Sequence, residues 1–595
     1  MSSLGLERDM FYRLKWAALL VAVFALTIAG AYRWPISSAY VASEFGRQLT
    51  HSVGLELRGP ARAYLSILPL PSIQIVDLEL RGKNGVPVIS TPNAKAQLAI
   101  APLFLGRLKF STAKLRRPTV LIDLDHAPFA EDSALGQALD KGGSVGDAAT
   151  LGVLRFEGGL LHIVSAKNEV DTLIEDVDGE LNWPRVADPL RLELQATWRD
   201  APVKVSARLA NPAAYLSGGG SSAAVDLASP LASLKLDGAL KPDDGGFFEG
   251  GVSAEVASVS ALAKVLGKGP LRFPSDGRVA LAGKIAAKLR MATLSDMQLD
   301  AFTQKFDGAL ALARTPAGWS LSGSLAADTL NLDDIVAATP VIFDGNGEWS
   351  AEPLSLGPIA LALDLRTSVG RATWGGRTIL QEAALSFMTH DGGATATLSE
   401  ATAYKGMLKG EISVTPDAHG VKMHASASLA NADVGAFIAD LGSTAYSGQG
   451  GAELSLQSSG DSPAALAKSL SGDASIKLGA GVIEGLSFEE ALRRSERRSI
   501  NPITDMRTGR TVFNEAEARA TIEKGEAHVR TAAMIGPGVL VTMKGGADLV
   551  ARALATQFIA TRADQHGAPD LVGPQINVTI SGPWLRPIIK TDTGA

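Results

Sequence analysis

Apolar and polar side chains alternate with a period of two along much of this chain. The segments Leu192–Trp198 and Val203–Leu209 alternate cleanly on either side of a short Asp-Ala-Pro turn. The same alternation returns in Val421–Leu429 and Ile576–Ile580. Because successive side chains of a strand point to opposite faces of a sheet, this pattern predicts an antiparallel sheet with one apolar and one polar face.

Glycine-rich turn sequences separate the predicted strands. They occur at Gly82–Gly85, Asp237-Gly238, Asp344–Gly347 and Asp391–Gly393. We also interpret Gly479-Ala480-Gly481 as turn glycines, because their spacing does not match a dinucleotide-binding G-x-G-x-x-G. Short strands joined by tight turns are therefore expected throughout.

Predicted helices are few and short. The clearest is Ser487–Arg498, which opens with a capping box of Ser487 and Glu490. A second begins at Ser462, with a proline as its first helical residue, and runs toward Leu470. The segment Ser37–Thr50 is typical of an amphipathic helix.

Arginines cluster at the end of the helix predicted at Ser487–Arg498. We expect i,i+4 ion pairs of Glu489 with Arg493 and of Glu490 with Arg494. Guanidinium groups match phosphate oxygens, so the cluster is a candidate contact for phosphate headgroups. The alternative is a solvated helix end whose cations complement the helix dipole. The candidates are Arg493, Arg494, Arg497 and Arg498.

The apolar sheet face is the most informative feature. It must pack against another sheet, curl around itself, or accept an apolar ligand. Its side chains are mostly small or aliphatic, which suits acyl chains better than planar ligands, while packing in a sandwich core remains an equal alternative. The candidate groove residues are Val120, Ile122, Leu192, Leu194, Trp198, Val203, Val205, Leu209, Val421, Met423, Ile576, Val578 and Ile580.

An uncharged apolar stretch covers residues 16–32, just long enough to span a hydrocarbon core of about 30 Å. Lys and Arg residues precede it, which predicts a cytoplasmic N-terminus at residues 1–15. The alternative is a signal peptide cleaved after Ala31. Both interpretations export residues 33–595. The anchor residues would include Trp16, Leu19, Leu20, Val21, Phe24, Leu26, Ile28 and Tyr32.

Composition argues against most chemistry. The chain has 595 residues, of which 46% are hydrophobic and 20% charged, a net charge of -6 and no cysteine. Disulfides, thiol catalysis and cysteine-bound zinc are thus excluded, and nothing favours nucleic acid. The 8 histidines are dispersed without metal-binding spacing. We expect no enzyme, no metal and no cofactor.

The exported chain divides into regions of differing character. A strand followed by a short helix recurs in residues 256–267, 329–340 and 429–442. We predict three regions, at 33–215, 216–444 and 445–595, of which the middle one is β-rich; the family resemblance given next implies a β-groove region in the first and a C-terminal domain in the third.

Several motifs resemble the AsmA family of Gram-negative envelope proteins. In the N-terminal part these are Ile67–Leu80, Ala101–Gly106, Leu115–Ile122 and Phe156–His162. In the C-terminal part they are Leu470–Ala474, Gly481–Leu486, Thr511–Phe513, Ile522–Ala527 and Ile580–Pro587. Residues 220–440 resemble the family only in their general pattern, without a specific motif.

This resemblance implies a mostly β protein, with an N-terminal transmembrane helix followed by a long curved antiparallel sheet and a few short helices. It implies a single-pass inner-membrane protein whose bulk lies in the periplasm and whose apolar β-groove carries phospholipid between the membranes. The expected partners are membrane lipids and an envelope protein at either end. The alternative is a scaffold or regulator of outer-membrane protein assembly, or of protein targeting to the membrane, without lipid carriage.

Overall fold

A computed structural model provides the coordinates, and strands dominate them. The residues described are 20–25, 27–28, 32–36, 56–57, 62–68, 70–82, 87–98, 110–123, 152–165, 170–185, 187–242, 247–266, 277–288, 290–316, 318–333, 335, 341–344, 347–354, 361–390, 392–418, 420–440, 446–485, 487–495, 509–564, 568–570, 573–584 and 586–594. They form two compact units, the first comprising Met1–Leu271 with Arg278–Ala292 and the second Arg272–Gly277 with Thr293–Ala595.

The first unit is built from consecutive strands. They are β1 (Trp34–Ile36), β2 (Glu56–Leu57), β3 (Ala63–Ser66), β4 (Ser72–Arg81), β5 (Pro87–Leu98), β6 (Phe110–Arg116), β7 (Thr119–Asp123), β8 (Gly152–Ser165), β9 (Val170–Trp183), β10 (Leu190–Trp198), β11 (Ala201–Leu209), β12 (Ser221–Ala228), β13 (Ala232–Lys241), β14 (Phe247–Val256) and β15 (Val279–Lys288). Helices α1 (Pro212–Leu216) and α2 (Val259–Val265) lie in connections between strands. From β8 to β15 each strand pairs antiparallel with the next.

The second unit continues in the same style. Its strands are β16 (Met291–Ala301), β17 (Gln304–Thr315), β18 (Gly318–Asn331), β19 (Leu361–Trp374), β20 (Arg377–His390), β21 (Gly393–Ala403), β22 (Gly406–Asp417), β23 (Gly420–Asp433), β24 (Tyr446–Gly460), β25 (Ser471–Glu484), β26 (Arg510–Phe513), β27 (Glu515–Glu523), β28 (Glu526–Gly536), β29 (Val539–Asp548), β30 (Ala553–Arg562), β31 (Gln575–Pro583) and β32 (Ile588–Gly594). Helices α3 (Val434–Asp440), α4 (Pro463–Ser469) and α5 (Phe488–Ser495) follow β23, β24 and β25.

The predicted mostly β fold with few short helices is confirmed, but not every strand pair is antiparallel. Strands β6 and β7 both pair parallel with β8, and β18 pairs parallel with β19. Two parallel neighbouring strands need a connection that brings the chain back to the end of the sheet at which the first strand began. Residues 332–360 are this connection between β18 and β19. Alternation within single strands does not reveal this crossover.

Part of that crossover forms a small hairpin, residues 341–354, that attaches to distant strand ends. Phe343 and Trp349 form its β-bridge. The indole Nε1 of Trp349 donates to the Leu549 carbonyl at 3.0 Å, after β29. The Leu354 amide donates to the Asp461 carbonyl at 2.6 Å, after β24. This hairpin therefore ties the crossover to the ends of β24 and β29.

Several predicted turns differ from the structure. Asp237-Gly238 lies inside β13, where Gly238 pairs with Gly250 of β14, so this prediction was wrong. Gly479-Ala480-Gly481 likewise lies inside β25 rather than in a turn. The turn before β11 is Arg199-Asp200, both with positive φ, and the strand already begins at Ala201.

Two of the predicted helices are present. Helix α4 starts after Ser462, whose hydroxyl accepts from the Ala465 amide at 3.3 Å. Helix α5 follows Ser487, whose hydroxyl accepts from the Glu490 amide at 3.4 Å. The predicted helix Ser37–Thr50 lies outside the described residues.

The predicted anchor is only partly described. Residues 20–25, 27 and 28 are helical, whereas Trp16, Leu19 and Leu26 lie outside the described residues. Within the described part of the chain, no helix combines the length and the apolar character needed to cross a membrane. Of the predicted anchor residues, Leu20, Val21, Phe24, Ile28 and Tyr32 are exposed. The anchor stays a prediction.

Candidate functional site

In the first unit, the strand register aligns apolar residues into unbroken rows across consecutive strands. One row is Ala63, Ile75, Ala94, Leu115, Phe156, Gly179, Leu194, Val205, Leu227, Leu234, Ala254 and Leu281. The row beside it is Leu65, Ile73, Ala96, Ala113, Leu154, Leu181, Leu192, Ala207, Val225, Leu236, Val252 and Gly283. Directly opposed residues share a face, so these rows form one apolar surface, the first apolar face.

The residues between these rows point to the opposite face and are polar. One such row is Gln74, Lys95, Lys114, Arg155, Glu180, Glu193, Ser206, Asp226 and Lys235. Arg155 donates to Glu180 at 2.9 Å. Lys114 pairs with Glu157, and this hydrogen bond holds the pKa of the Glu157 carboxyl below its ordinary value. The charges of the unit thus lie on the face away from the apolar rows.

Burial changes along the first apolar face. Around β3–β8, side chains such as Ile75 (3% exposed) and Leu115 (6% exposed) pack into a closed core. From β10 onward, Leu192, Leu194, Val205 and Leu234 are only half-buried. That part of the face remains partly accessible to an apolar ligand.

The structure places the groove candidates of the first unit on this one face. Val120 pairs with Ile89 and Leu161, and Ile122 with Ile163. Val203 pairs with Ala196, two residues from Leu194 on the same strand. The remaining members of this set are Leu192, Leu194, Trp198, Val205 and Leu209. Whether they contact lipid stays a prediction.

The second unit has a similar surface, the second apolar face. One of its rows is Gly323, Leu365, Phe387, Ala396, Ile412, Ala425, Leu456, Gly472 and Ile522. Its neighbour is Leu385, Leu398, Gly410, Ala427, Leu454, Ala474 and Ala520. Exposure of Ile412 (43%) and Leu454 (37%) shows that side chains on this face also reach solvent.

The groove candidates of the second unit differ in burial. Met423 is half-buried, whereas Val421 is 4% exposed. Ile576 is fully buried beneath α5, in a core with Phe488, Leu492, Val539 and other apolar residues. Val578 and Ile580 line an apolar cavity beside that core. Ile576 is therefore a core residue, which its strand alternation alone could not reveal.

Of the four candidate arginines, the side chain of Arg493 is described. Arg493 forms two hydrogen bonds of 2.8 Å to Glu490, an i,i+3 pair rather than the predicted pair with Glu489. This carboxylate raises the pKa of the Arg493 guanidinium above its ordinary value. The Arg494 side chain and the whole of Arg497 and Arg498 lie outside the described residues.

The two apolar faces carry few polar side chains. Among the described residues, no group of His, Asp and Glu side chains is arranged to hold a metal ion. The sequence interpretation missed most residues of the C-terminal cavity, including Ile476, Leu478, Met534 and Phe558. The alternation of Ile476 and Leu478 with Ser475 and Lys477 could have indicated the first two.

Comparison with known proteins gives one match. Residues 299–531 match the model of the AsmA family, which confirms the predicted resemblance. The match extends through much of the middle region 220–440, where the sequence showed no specific motif, while the motifs at 67–162 and 580–587 lie outside it. No curated protein and no solved structure shows significant similarity to the chain.

Proposed function

Because this chain belongs to the AsmA family, we propose that it is a protein of outer-membrane biogenesis that carries phospholipid along its apolar faces. In this proposal, residues 16–32 anchor the chain in the inner membrane and the body lies in the periplasm. The protein acts without chemistry of its own, so it needs no cofactor. Its partners are membrane phospholipids and an envelope protein at either end.

The unbroken apolar rows are the observation that carries this proposal. An acyl chain gains about 0.8 kcal/mol for each methylene that leaves water. Leu194, Val205 and Leu227 are opposed on neighbouring strands, so a tail that leaves one strand meets an equivalent surface on the next. Movement of the acyl chain along the row then requires no large change in free energy, and a gradient of phospholipid between the membranes suffices to direct it.

The polar face supports the same arrangement. Its charged residues, such as Arg155 and Glu180, satisfy each other on the side away from the apolar rows. No described residue of the two rows in the first unit carries a charge. A lipid headgroup would therefore stay in water at the margin of the face while its tails lie on the rows.

The test introduces one charge into the first apolar face. Leu194→Glu should block lipid transfer, because a carboxylate on this row opposes the passage of an acyl chain. Gln195→Glu is the matched control, since Gln195 follows Leu194 on β10, is exposed and points to the polar face. A photoreactive residue at Val205, directly opposite Leu194, reports lipid contact in the full-length protein.

We expect lipid adducts in the wild type and in Gln195→Glu, and their loss in Leu194→Glu at equal protein abundance. Unchanged lipid adducts in a folded Leu194→Glu protein would refute lipid carriage on this row. Adducts with outer-membrane assembly proteins, and none with lipid, would instead favour the scaffold function.

A further inference from the structure

The C-terminal strands line a half-open apolar cavity of about 360 Å³, in which Ile476 and Ile589 remain partly exposed to solvent. Its walls come from β25, β27, β28, β29, β30, β31 and β32, together with the first residue of α5. The side chains that define it are apolar, and the larger ones are Ile476, Leu478, Ile483, Phe488, Met534, Val541, Met543, Phe558, Val578, Ile580 and Ile589.

The strand register shows which face the cavity occupies. Ala518 pairs with Ala532 and Ala516 with Met534, so these residues share one face. Glu517 pairs with Ala533 on the opposite face, where Glu517 binds Arg519. The side chain of Glu517 therefore points away from the cavity, and only backbone from this position borders it. None of the described residues that face the cavity carries a charged side chain.

Helix α5 closes one side of the cavity. Phe488, Ala491 and Leu492 pack against Val539, Ala560 and other residues in a core that adjoins the open space and shares Val541 and Val578 with its wall. Phe488 belongs to both this core and the cavity wall. The second apolar face thus continues along β25 from Ala474 to Ile476 and Leu478, which line the cavity beside α5.

We propose that this cavity holds one unbranched acyl chain of about 14 carbons. The proposal rests on the proposed function and adds a binding site and a length limit to it. An apolar cavity of about 150 Å³ holds one benzene, which has six carbons. The cavity of about 360 Å³ therefore holds roughly 14 carbons at the same density.

The walls also favour a straight chain over a planar ligand. Most side chains around the space are aliphatic or methionine, and methionine adapts to a flexible chain. The volume of about 360 Å³ corresponds to one tail. A diacyl phospholipid would place a single tail here, and a free fatty acid its whole chain, so both sources share the same chemistry.

The experiment uses the full chain in nanodiscs and photoreactive saturated fatty acids of 8 to 18 carbons. Mass spectrometry locates the adducts on β28–β31, and competition by unlabelled fatty acids gives the affinity. We expect the affinity to rise about fourfold per methylene, from about 0.8 kcal/mol each, and to level off near 14 carbons. A photoreactive diacyl phosphatidylethanolamine, tested separately, distinguishes a phospholipid tail from a free fatty acid.

Ala532→Phe partly fills the cavity, and Ala533→Phe is its matched control. The two alanines are adjacent on β28 and point to opposite faces. A phenyl group takes about 150 Å³, so Ala532→Phe should shift the plateau to roughly 8 carbons. Ala533→Phe should leave the plateau near 14. Hydrogen exchange of α5 in each variant verifies that the wall has stayed in place.

The outcomes separate this site from the proposed function. A length dependence without a plateau, an equal effect of both variants, or no adducts on β28–β31 would each overturn the cavity proposal. Lipid adducts at Val205 would still support carriage in that case. Conversely, a plateau that responds to Ala532→Phe, without adducts at Val205, would leave a fatty-acyl site without carriage along the first apolar face.

Discussion

Leu492, which is 1% exposed, is the most deeply buried of the side chains by which α5 packs against the sheet. An isolated helix of eight residues is not stable in water, so α5 exists through its packing. Its buried residues are Phe488, Ala491 and Leu492. Replacing a fully buried leucine by alanine costs about 2–5 kcal/mol, because apolar contact is lost and a cavity remains.

We therefore expect Leu492→Ala to weaken the docking of α5 by about 3 kcal/mol, or on the order of 100-fold in the opening equilibrium. Hydrogen exchange measures this opening directly in peptides that cover residues 488–495. The Phe488 amide is a sensitive position, because it donates to the Thr511 hydroxyl at 3.1 Å in the buried interface.

Arg493→Ala is the matched control on the outer side of the same helix. Its guanidinium binds Glu490 in an exposed i,i+3 pair, and such pairs contribute little to stability. Protection of α5 should change by less than about threefold in this variant. Equal protection in Leu492→Ala and the wild type, or an equal loss in both variants, would refute the packing argument.

Three further perturbations address other parts of the structure. Asp433 accepts from the Ala436 amide at 3.1 Å at the start of α3, and this bond lowers its pKa, so Asp433→Ala should increase hydrogen exchange of α3 about fivefold at pH 7. Because the pKa in the folded state is lowered, the difference should shrink once the pH falls below the ordinary carboxyl value and disappear below the lowered pKa, and a difference unchanged at pH 2.5 would contradict this. Trp349→Phe should weaken the attachment of the hairpin by about 1 kcal/mol, because the Leu549 carbonyl loses its hydrogen-bond donor. Hydrogen exchange of residues 341–354 should then be faster, and unchanged exchange would show that this bond does not hold the hairpin. Gly250→Val should destabilise β13 and β14 by about 2 kcal/mol or more in urea unfolding, since a Cβ would lie 2.2 Å from a β13 carbonyl oxygen; wild-type stability would contradict that close approach.

The two-faced character of the sheet could be predicted because it is local. Leu192 and Leu194 alternate with Glu193 and Gln195 in sequence, and β10 keeps this alternation. The start of α4 was equally local, since Ser462 caps the helix that follows it. Such features depend on a few neighbouring residues only.

Features that depend on distant residues could not be predicted. Asp237-Gly238 has a turn composition, yet Gly238 faces Gly250 on the next strand, where two glycines allow close backbone approach. Ile576 alternates with polar residues like the other groove candidates, yet it is buried in a core formed by α5 and neighbouring strands. The parallel pairing of β18 and β19 also depends on where the crossover returns.

The hairpin at residues 341–354 has a consequence for the order of folding. Its partner for Trp349 is Leu549, which lies 200 residues later. A β-hairpin such as β22–β23 closes over a few residues, whereas closing a loop of this length costs about 3 kcal/mol more in chain entropy. Contacts this distant in sequence form slowly. During synthesis, which starts at the N-terminus, neighbouring strands can therefore pair one after another. The bond between Trp349 and Leu549 can form only after the turn that follows β29 has been made.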